Sequence, residues 1–118
     1  GVMSRVIESQ GITVIELGPQ YDSLHEHVLE EFGEVLLVEA SHVEPPLLVL
    51  DFSQTTLVGS RFIELLIQAW KRLRQRSGSM VLCCVQPFCA EVLRTTRLDT
   101  VWSVYATRSE AIAGVRES

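Results

Sequence analysis

The run Leu47–Arg76, LLVLDFSQTTLVGSRFIELLIQAWKRLRQR, constrains the fold of this chain more than any other segment. Its first part, Leu47–Phe52, is apolar without interruption up to Asp51, as expected for a central strand covered on both faces. A short polar loop follows, and Arg61–Arg76 then carries apolar residues at helical spacing. The predicted apolar stripe of this helix is Phe62, Leu65, Leu66, Ala69, Trp70 and Leu73. The run therefore predicts a strand–loop–helix unit, with Ser60 where the helix begins.

Strand and helix patterns alternate along the rest of the chain. The other predicted strands are Val2–Ser9, Ile12–Leu17, Met80–Val85 and Val101–Ala106. The other predicted helices are Ser23–Ser41, Phe88–Thr96 and Arg108–Val115. Thr107 is expected to cap the last helix, with Glu110 completing a capping box.

The resulting order of elements is ββαβαβαβα, which predicts an α/β fold. Strands that alternate with helices indicate a mainly parallel or mixed sheet, because parallel neighbours need crossover connections. We expect a curved sheet of four to five strands with about four helices, mainly on one face. The length of 118 residues suits one domain, residues 1–118, with a core over about 5–115.

Hydropathy predicts a soluble cytoplasmic protein. No apolar stretch approaches the roughly 20 residues that span a bilayer. The first residues also lack the basic, apolar and cleavage regions of a secretory signal. Membrane insertion is therefore not expected.

The net charge of −5 is unevenly distributed. Residues 1–60 contain ten acidic residues and one basic residue, whereas residues 61–118 contain five acidic and nine basic residues, so the halves carry −9 and +4. This pattern fits either two solvated faces or a polarised surface that orients a charged protein partner. Nucleic acid is not an expected partner, because the chain is acidic and its aromatics are not interleaved with the basic run. The side chains of that run are expected to be mostly solvated: Lys71, Arg72, Arg74 and Arg76.

The three cysteines are Cys83, Cys84 and Cys89. An odd number in a chain without a secretion signal argues against a disulfide framework. Because adjacent side chains of a strand point to opposite faces, Cys83 and Cys84 are not expected to bind one metal ion together. Buried reduced thiols are the preferred interpretation.

Neither a catalytic site nor a cofactor site is indicated. His25, His27 and His42 lack the spacing of metal ligands. Ser60 is not in a Gly-x-Ser-x-Gly motif, and no glycine-rich phosphate loop is present. The sequence therefore predicts a protein that is not an enzyme and that has no metal or cofactor.

Three segments together carry a family resemblance. LVLDFSQTTLVGS matches a strand ending in Asp-Leu-Ser, followed by a loop and a phosphorylatable serine. KRLRQRSGSMVLCCV matches a helix end, a glycine turn and the next strand, and VLRTTRLDTVWSVYATRSEAI matches a closing "L-x-x-x-x-L-D" segment. The combination resembles the STAS domain, the fold of bacterial anti-sigma-factor antagonists, over about residues 5–115.

The resemblance assigns the phosphoacceptor role to Ser60. The family commonly has Asp-Ser-Ser-Gly at this site, with the first serine modified. Here Gly59 replaces the aspartate, Arg61 the second serine and Phe62 the glycine. The fold is expected to tolerate a phosphate at Ser60, because a helix N-terminus favours negative charge, and Arg61 is available to pair with it.

By resemblance, the chain is a regulatory module that binds a partner-switch serine kinase or anti-sigma factor, under the control of Ser60 phosphorylation. Docking would use the Gly59–Phe62 loop end and the exposed side of Arg61–Arg76. The residues expected to bind the partner are Asp22, Thr55, Thr56, Gly59, Arg61 and Phe62. The alternative is a non-phosphorylated scaffold subunit of a stressosome-like or transport-associated assembly, which makes a homo-oligomer possible. A small-ligand binder or enzyme of unrecognised chemistry is the third alternative.

Structural roles compete with several of these assignments. Ser60 and Asp22 each suit the N-cap of a helix. Asp51 suits a hydrogen-bonded anchor for the loop that follows it. Thr55 and Thr56 are either docking hydroxyls or ordinary loop residues.

Overall fold

A computed structural model describes residues 4–118 as a sheet with helices on both faces. The strands are β1 (Arg5–Ser9), β2 (Ile12–Glu16), β3 (Gln20–Tyr21), β4 (Leu47–Asp51), β5 (Leu57–Val58), β6 (Ser79–Cys83) and β7 (Val104–Tyr105). The α-helices are α1 (Glu26–His42), α2 (Ser60–Gln75), α3 (Pro87–Thr95) and α4 (Arg108–Val115). Short 3₁₀ turns precede α1 at Ser23–His25 and follow α3 at Leu98–Thr100.

The main sheet is mixed, with the strand order β1-β2-β4-β6-β7. β1 and β2 form an antiparallel hairpin, and every other pairing in this sheet is parallel. The predicted mixed α/β fold is therefore confirmed. Because parallel strands end at the same edge, the loops after β2, β4 and β6 meet there. The first strand was predicted to begin at Val2, and residues 2 and 3 lie outside the described part of the chain.

The sheet buries both faces. One face packs against α1, α2 and α3 through alternate strand residues such as Ile15, Leu50 and Leu82. The opposite face packs against Ala111, Ile112 and Val115 of α4. This arrangement explains why the sequence of β4 is apolar without alternation. Among residues 4–118, no helix is both long enough and apolar enough to cross a membrane.

Helices α1 and α2 pack closely against each other. Gly33 permits the approach, because a Cβ at this position would lie 3.1 Å from Leu65 Cδ2. Arg76, predicted to be solvated, instead donates to the carbonyls of Ala40 at 3.0 Å and Val43 at 2.7 Å. Its cation therefore satisfies carbonyls at the C-terminal end of α1, where positive charge is favoured.

Three sequence predictions need local correction. The first helix was predicted over Ser23–Ser41, but α1 begins at Glu26, and Leu24 in the preceding 3₁₀ turn is 85% exposed. The last strand was predicted over Val101–Ala106, whereas β7 spans only Val104–Tyr105. The segment before it turns inward to bury Trp102 against the edge of Trp70, so it does not pair with β6 over its whole length.

The third correction concerns the end of β6. The strand was predicted to continue through Val85, but it ends at Cys83. Cys84 has a φ of 60°, in the left-handed region, which is incompatible with an extended strand. Cys83 and Cys84 were expected to point to opposite faces because both were placed in one strand. That reasoning therefore no longer applies at Cys84.

Candidate functional site

The loop between β4 and α2 is tied to the loop between β2 and α1. Thr55 Oγ1 donates to the Gly18 carbonyl at 2.8 Å, and the Thr56 amide donates to the Pro19 carbonyl at 2.9 Å. β5 then pairs in parallel with β3, and the Gly59 amide donates to the Tyr21 carbonyl at 2.9 Å. These bonds hold the start of α2 beside the start of α1. The pairing of β3 with β5 was not predicted, because two-residue strands have no detectable hydrophobic period.

Ser60 is exposed at the first helical position of α2. Gly59 is the N-cap residue, in extended conformation, and no side chain caps the helix there. The interpretation of Ser60 as the N-cap is therefore wrong, because the helix begins one residue earlier than predicted. The hydroxyl of Ser60 stands next to first-turn amides that have no carbonyl partner within the helix.

Asp22 lies next to this helix start. A Cβ on Gly59 would be 3.5 Å from the Asp22 Cα, so the two loops are in van der Waals contact. Asp22 does not cap a helix with its side chain, and its Oδ1 lies 2.6 Å from His25 Nδ1 instead. Asp22 does occupy the predicted N-cap position, that of the 3₁₀ turn Ser23–His25, but it does so without a side-chain capping bond. The half-buried carboxylate is held by the imidazole at the rim of the site.

Arg61 is exposed and directed along the helix. Its Nη1 lies 3.2 Å from Glu64 Oε1, in an i,i+3 pair with both side chains more than half exposed. Such a pair contributes little to stability, about 0.2–0.5 kcal/mol. The guanidinium is therefore free to exchange Glu64 for another anion at small cost.

Phe62 and Thr55 are buried, with no exposed side-chain surface. The Phe62 ring stacks on Tyr21 at 4.7 Å between centroids and on Phe32 at 5.3 Å, and it meets the edge of Phe52. Both side chains belong to the interior, so their burial does not support the prediction that they contact a partner.

An ion triad lies at the ends of β2 and β4. Arg108 of α4 pairs with Glu16 of β2 and with Asp51 of β4. Asp51 Oδ1 also accepts the Ser53 amide at 2.8 Å, which confirms its predicted role as an anchor of the loop. Glu16 and Arg108 were not predicted as site residues, because neither belongs to a motif and they are 92 positions apart.

The triad shifts the pKa of each member. Burial favours the neutral form of Asp51, but hydrogen bonds from Ser53 and Arg108 outweigh it, so the Asp51 pKa lies below its ordinary value. The hydrogen bond from Arg108 likewise lowers the pKa of Glu16, and the hydrogen bond to Glu16 raises the pKa of Arg108. All three groups are thus charged near neutral pH.

Cys83 and Cys84 lie beside Asp51. One ligand atom from each of the three residues falls within 4.8 Å of the others, so the prediction that the two thiols point apart is wrong. The left-handed backbone of Cys84 is the reason. Burial and the negative charge of Asp51 raise the pKa of Cys83, which keeps its thiol protonated. The Asp51 carboxylate is already engaged by Arg108 and by the Ser53 amide.

The sequence matches the STAS domain over residues 5–111, which is most of the chain. The chain belongs to the STAS domain family. The predicted family resemblance is confirmed. The loop from Asp51 to Ser60 belongs to the segment LVLDFSQTTLVGS, on which that resemblance was partly based. No curated protein matches the sequence.

Solved structures similar to this STAS domain include anti-sigma-factor antagonists and a sulfate transporter family protein. An anti-sigma-factor antagonist (STAS) domain protein from Planctomyces limnophilus is 31% identical, with a TM-score of 0.83 and 98% of each chain covered. The anti-sigma factor antagonist SpoIIAA in its unphosphorylated form is 20% identical, with a TM-score of 0.81 and coverage of 98% of this chain and 97% of that one. A sulfate transporter family protein from Wolinella succinogenes is 13% identical, with a TM-score of 0.73 and coverage of 93% and 88%. The last two likenesses establish the fold.

The STAS fold thus brings four of the predicted site residues to the start of α2. They are Asp22, Gly59, Ser60 and Arg61. Thr56 is exposed in the loop before β5, whereas Thr55 and Phe62 are buried.

Proposed function

We propose that this STAS domain is a regulatory protein-binding module that acts as an anti-sigma-factor antagonist. It binds a serine kinase or anti-sigma factor when Ser60 is unmodified and releases that partner when Ser60 is phosphorylated. The antagonist domain from Planctomyces limnophilus, with which it shares 31% of its residues over nearly the full length, supports this role. The domain is a substrate of the kinase and not an enzyme, and it acts in the cytoplasm.

The observation that carries the proposal is the exposure of Ser60 at the first position of α2. A kinase would transfer the γ-phosphoryl group of ATP to Ser60 Oγ, with loss of the hydroxyl proton and release of ADP. Phosphorylation would add about −1.5 to −2 charges at Ser60 near pH 7, next to first-turn amides that have no partner within the helix. The fold therefore accommodates the phosphate, and the effect of the modification falls on the surface that a partner contacts.

The proposed docking surface surrounds Ser60 and is formed by Asp22, Thr56, Gly59 and Arg61. A partner seated there covers Ser60 and removes it from water. A phosphate at this position would have to lose its hydration on binding, and it would repel acidic groups of the partner. Phosphorylation would thus act as a local electrostatic switch.

The departures from the family pattern bear on kinase recognition. Gly59 has a φ of −120°, and a Cβ would meet its nearest neighbours at 3.5 Å, so an aspartate fits there without strain. Arg61 is exposed, so a serine fits as well. The double variant Gly59→Asp/Arg61→Ser should therefore fold like the parent and report only on recognition of Ser60.

The experiment is the intact mass of the protein after incubation with Mg²⁺-ATP and a lysate of its source cells. The parent is expected to gain one phosphate, located at Ser60 by peptide mapping. Ser60→Ala should gain none, while Thr56→Ala, which removes another exposed hydroxyl of the same loop, should gain one. No gain on the parent, in a lysate that phosphorylates the Gly59→Asp/Arg61→Ser variant, would refute the switch for this chain.

A second candidate is a scaffold subunit in which Ser60 is never modified. The pairing of Arg61 with Glu64 and the burial of Phe62 favour it, because both replace small residues of the family motif. The fold likeness to a sulfate transporter family protein is consistent with this role. Light scattering after size-exclusion chromatography distinguishes the two: a large stable assembly is expected for the scaffold, and a small species for the switch.

A further inference from the structure

A groove of about 630 Å³ runs between α1 and α2. Its lining on α1 extends from Glu26 to Leu37, and α2 contributes Arg61 and Leu65. Eleven helical steps from Glu26 to Leu37 cover about 16 Å, which is about three turns of an α-helix. The groove therefore has the length of a short helical segment.

The floor of the groove is apolar because of Gly33. The glycine leaves no side chain over Leu65, so the surface between the helices is formed by Leu29, Leu37 and Leu65. These leucines are largely buried by the protein itself, which leaves a narrow apolar strip at the bottom. Such a strip fits the apolar face of an amphipathic helix.

The α1 wall of the groove is acidic. Glu26, Glu30 and Glu34 follow one another at intervals of four residues, which places them on the same side of the helix. Among the ion pairs of residues 4–118, none includes any of these three carboxylates. Like charges at this spacing destabilise a helix, so cations from a bound partner would relieve the repulsion. Among the described residues that line the groove, the one cation is Arg61, and it is already paired with Glu64.

We propose that this groove is a second docking surface, which binds a cationic amphipathic helix from a partner protein. Leucine or similar side chains of the partner helix would cover the strip formed by Leu29, Leu37 and Leu65. Lys or Arg side chains of the same helix would pair with Glu26, Glu30 and Glu34. This surface runs along the sides of α1 and α2, whereas the surface proposed for the switch surrounds Ser60, and the two share Arg61. Binding to the groove does not require that Ser60 accept a phosphate.

The test is an NMR titration of the ¹⁵N-labelled full chain with a synthetic helix of about 14 residues, long enough to fill the groove. The probe has leucines on one face and lysines on the flanks. The amides of Leu29, Gly33, Leu37 and Leu65 should shift with added peptide. A peptide with glutamates in place of the lysines should leave them unchanged.

Two variants of equal net charge provide the matched comparison. Glu30→Gln/Glu34→Gln removes carboxylates from the groove and should weaken peptide binding about fivefold. Glu8→Gln/Glu31→Gln removes two exposed carboxylates elsewhere and should leave the affinity within about twofold of the parent. Equal weakening by both variants would show attraction to overall charge and would overturn the proposal.

Two further outcomes would also overturn it. One is the absence of shifts at the groove amides at millimolar peptide, and the other is a shift of the same amides with protein concentration alone, which would identify a second copy as the occupant. Ser60→Ala, which removes the phosphoacceptor without adding charge beside Arg61, should bind the peptide like the parent. A negative phosphorylation experiment would therefore not contradict the proposed groove. A negative titration would likewise not contradict the proposed switch at Ser60.

Discussion

Arg108 and Asp51 form an ion pair that links α4 to the end of β4, although they are 57 positions apart. Nε and Nη2 of Arg108 both donate to Asp51 Oδ2, at 2.9 and 2.7 Å. The other oxygen of Asp51 accepts the Ser53 amide, at the start of the loop that leads to Ser60. The pair therefore connects the last helix with the loop that presents the candidate phosphoacceptor.

Arg108→Ala should destabilise the fold by about 2–3 kcal/mol. The change leaves Asp51, whose side chain is 4% exposed, as an unpaired buried charge. Loss of one partner of a fully buried pair costs about 3–5 kcal/mol, and the 30% exposure of the Arg108 side chain reduces that figure. Urea unfolding followed by circular dichroism measures the difference. The matched control is Arg94→Ala, which breaks the exposed pair with Glu91 and should shift the urea midpoint far less than Arg108→Ala does.

The same triad predicts how stability depends on pH. Asp51 and Glu16 have folded pKa values below their ordinary values of 3.8 and 4.5, so at acid pH the unfolded chain binds more protons than the folded one. Their contribution is complete above those ordinary values and is lost as the pH falls through the folded values. The stability gap between the parent and Arg108→Ala should therefore narrow as the pH falls from about 5 to about 2. A gap that stays constant over this range would contradict the role of the triad.

Phe62→Ala should destabilise the protein by about 3–5 kcal/mol. The ring is fully buried and contacts the rings of Tyr21, Phe32 and Phe52, so its removal leaves a cavity among them. Arg61→Ala at the neighbouring exposed position should change stability by less than about 0.5 kcal/mol. Both variants are compared with the parent by urea unfolding. A small effect of Phe62→Ala would mean that the ring is not part of the core and would restore it as a docking residue.

Iodoacetamide should label Cys84 before the other two cysteines. Cys84 is half-buried, whereas Cys83 and Cys89 are buried and burial raises the pKa of both thiols. Intact mass should show one early adduct in native buffer and three in denaturant. Cys84→Ser should lose the early adduct, and early labelling of Cys83 or Cys89 in the parent would contradict this arrangement.

Local sequence patterns were sufficient for much of the fold. The stripe of α2 repeats at helical spacing, and its members are buried except for Trp70, which is half-buried. Thr107 and Glu110 form the predicted capping box of α4. These features were predictable because a helix period and a cap depend on residues only a few positions apart.

The site was predicted less completely than the fold. The family motif located Ser60, Gly59 and Arg61 on one loop end, but it did not distinguish exposed residues from buried ones. Phe62 occupies a motif position and yet belongs to the aromatic cluster, since the direction of a side chain depends on where the helix begins. The helix was predicted to begin one residue too late, at Arg61, and Ser60 was therefore predicted to be its N-cap residue.

The sequence by itself determined the family, the mixed sheet and the position of the candidate phosphoacceptor, because apolar periodicity and motif spacing are local properties of the chain. Only the tertiary structure decided that Arg108 pairs with Asp51, that the Cys83 and Cys84 thiols lie together, and that Gly33 opens a groove between two helices. Each of these depends on backbone angles or on contacts between distant residues. Such contacts form only when the sheet and its helices pack, and no window of the sequence contains both partners.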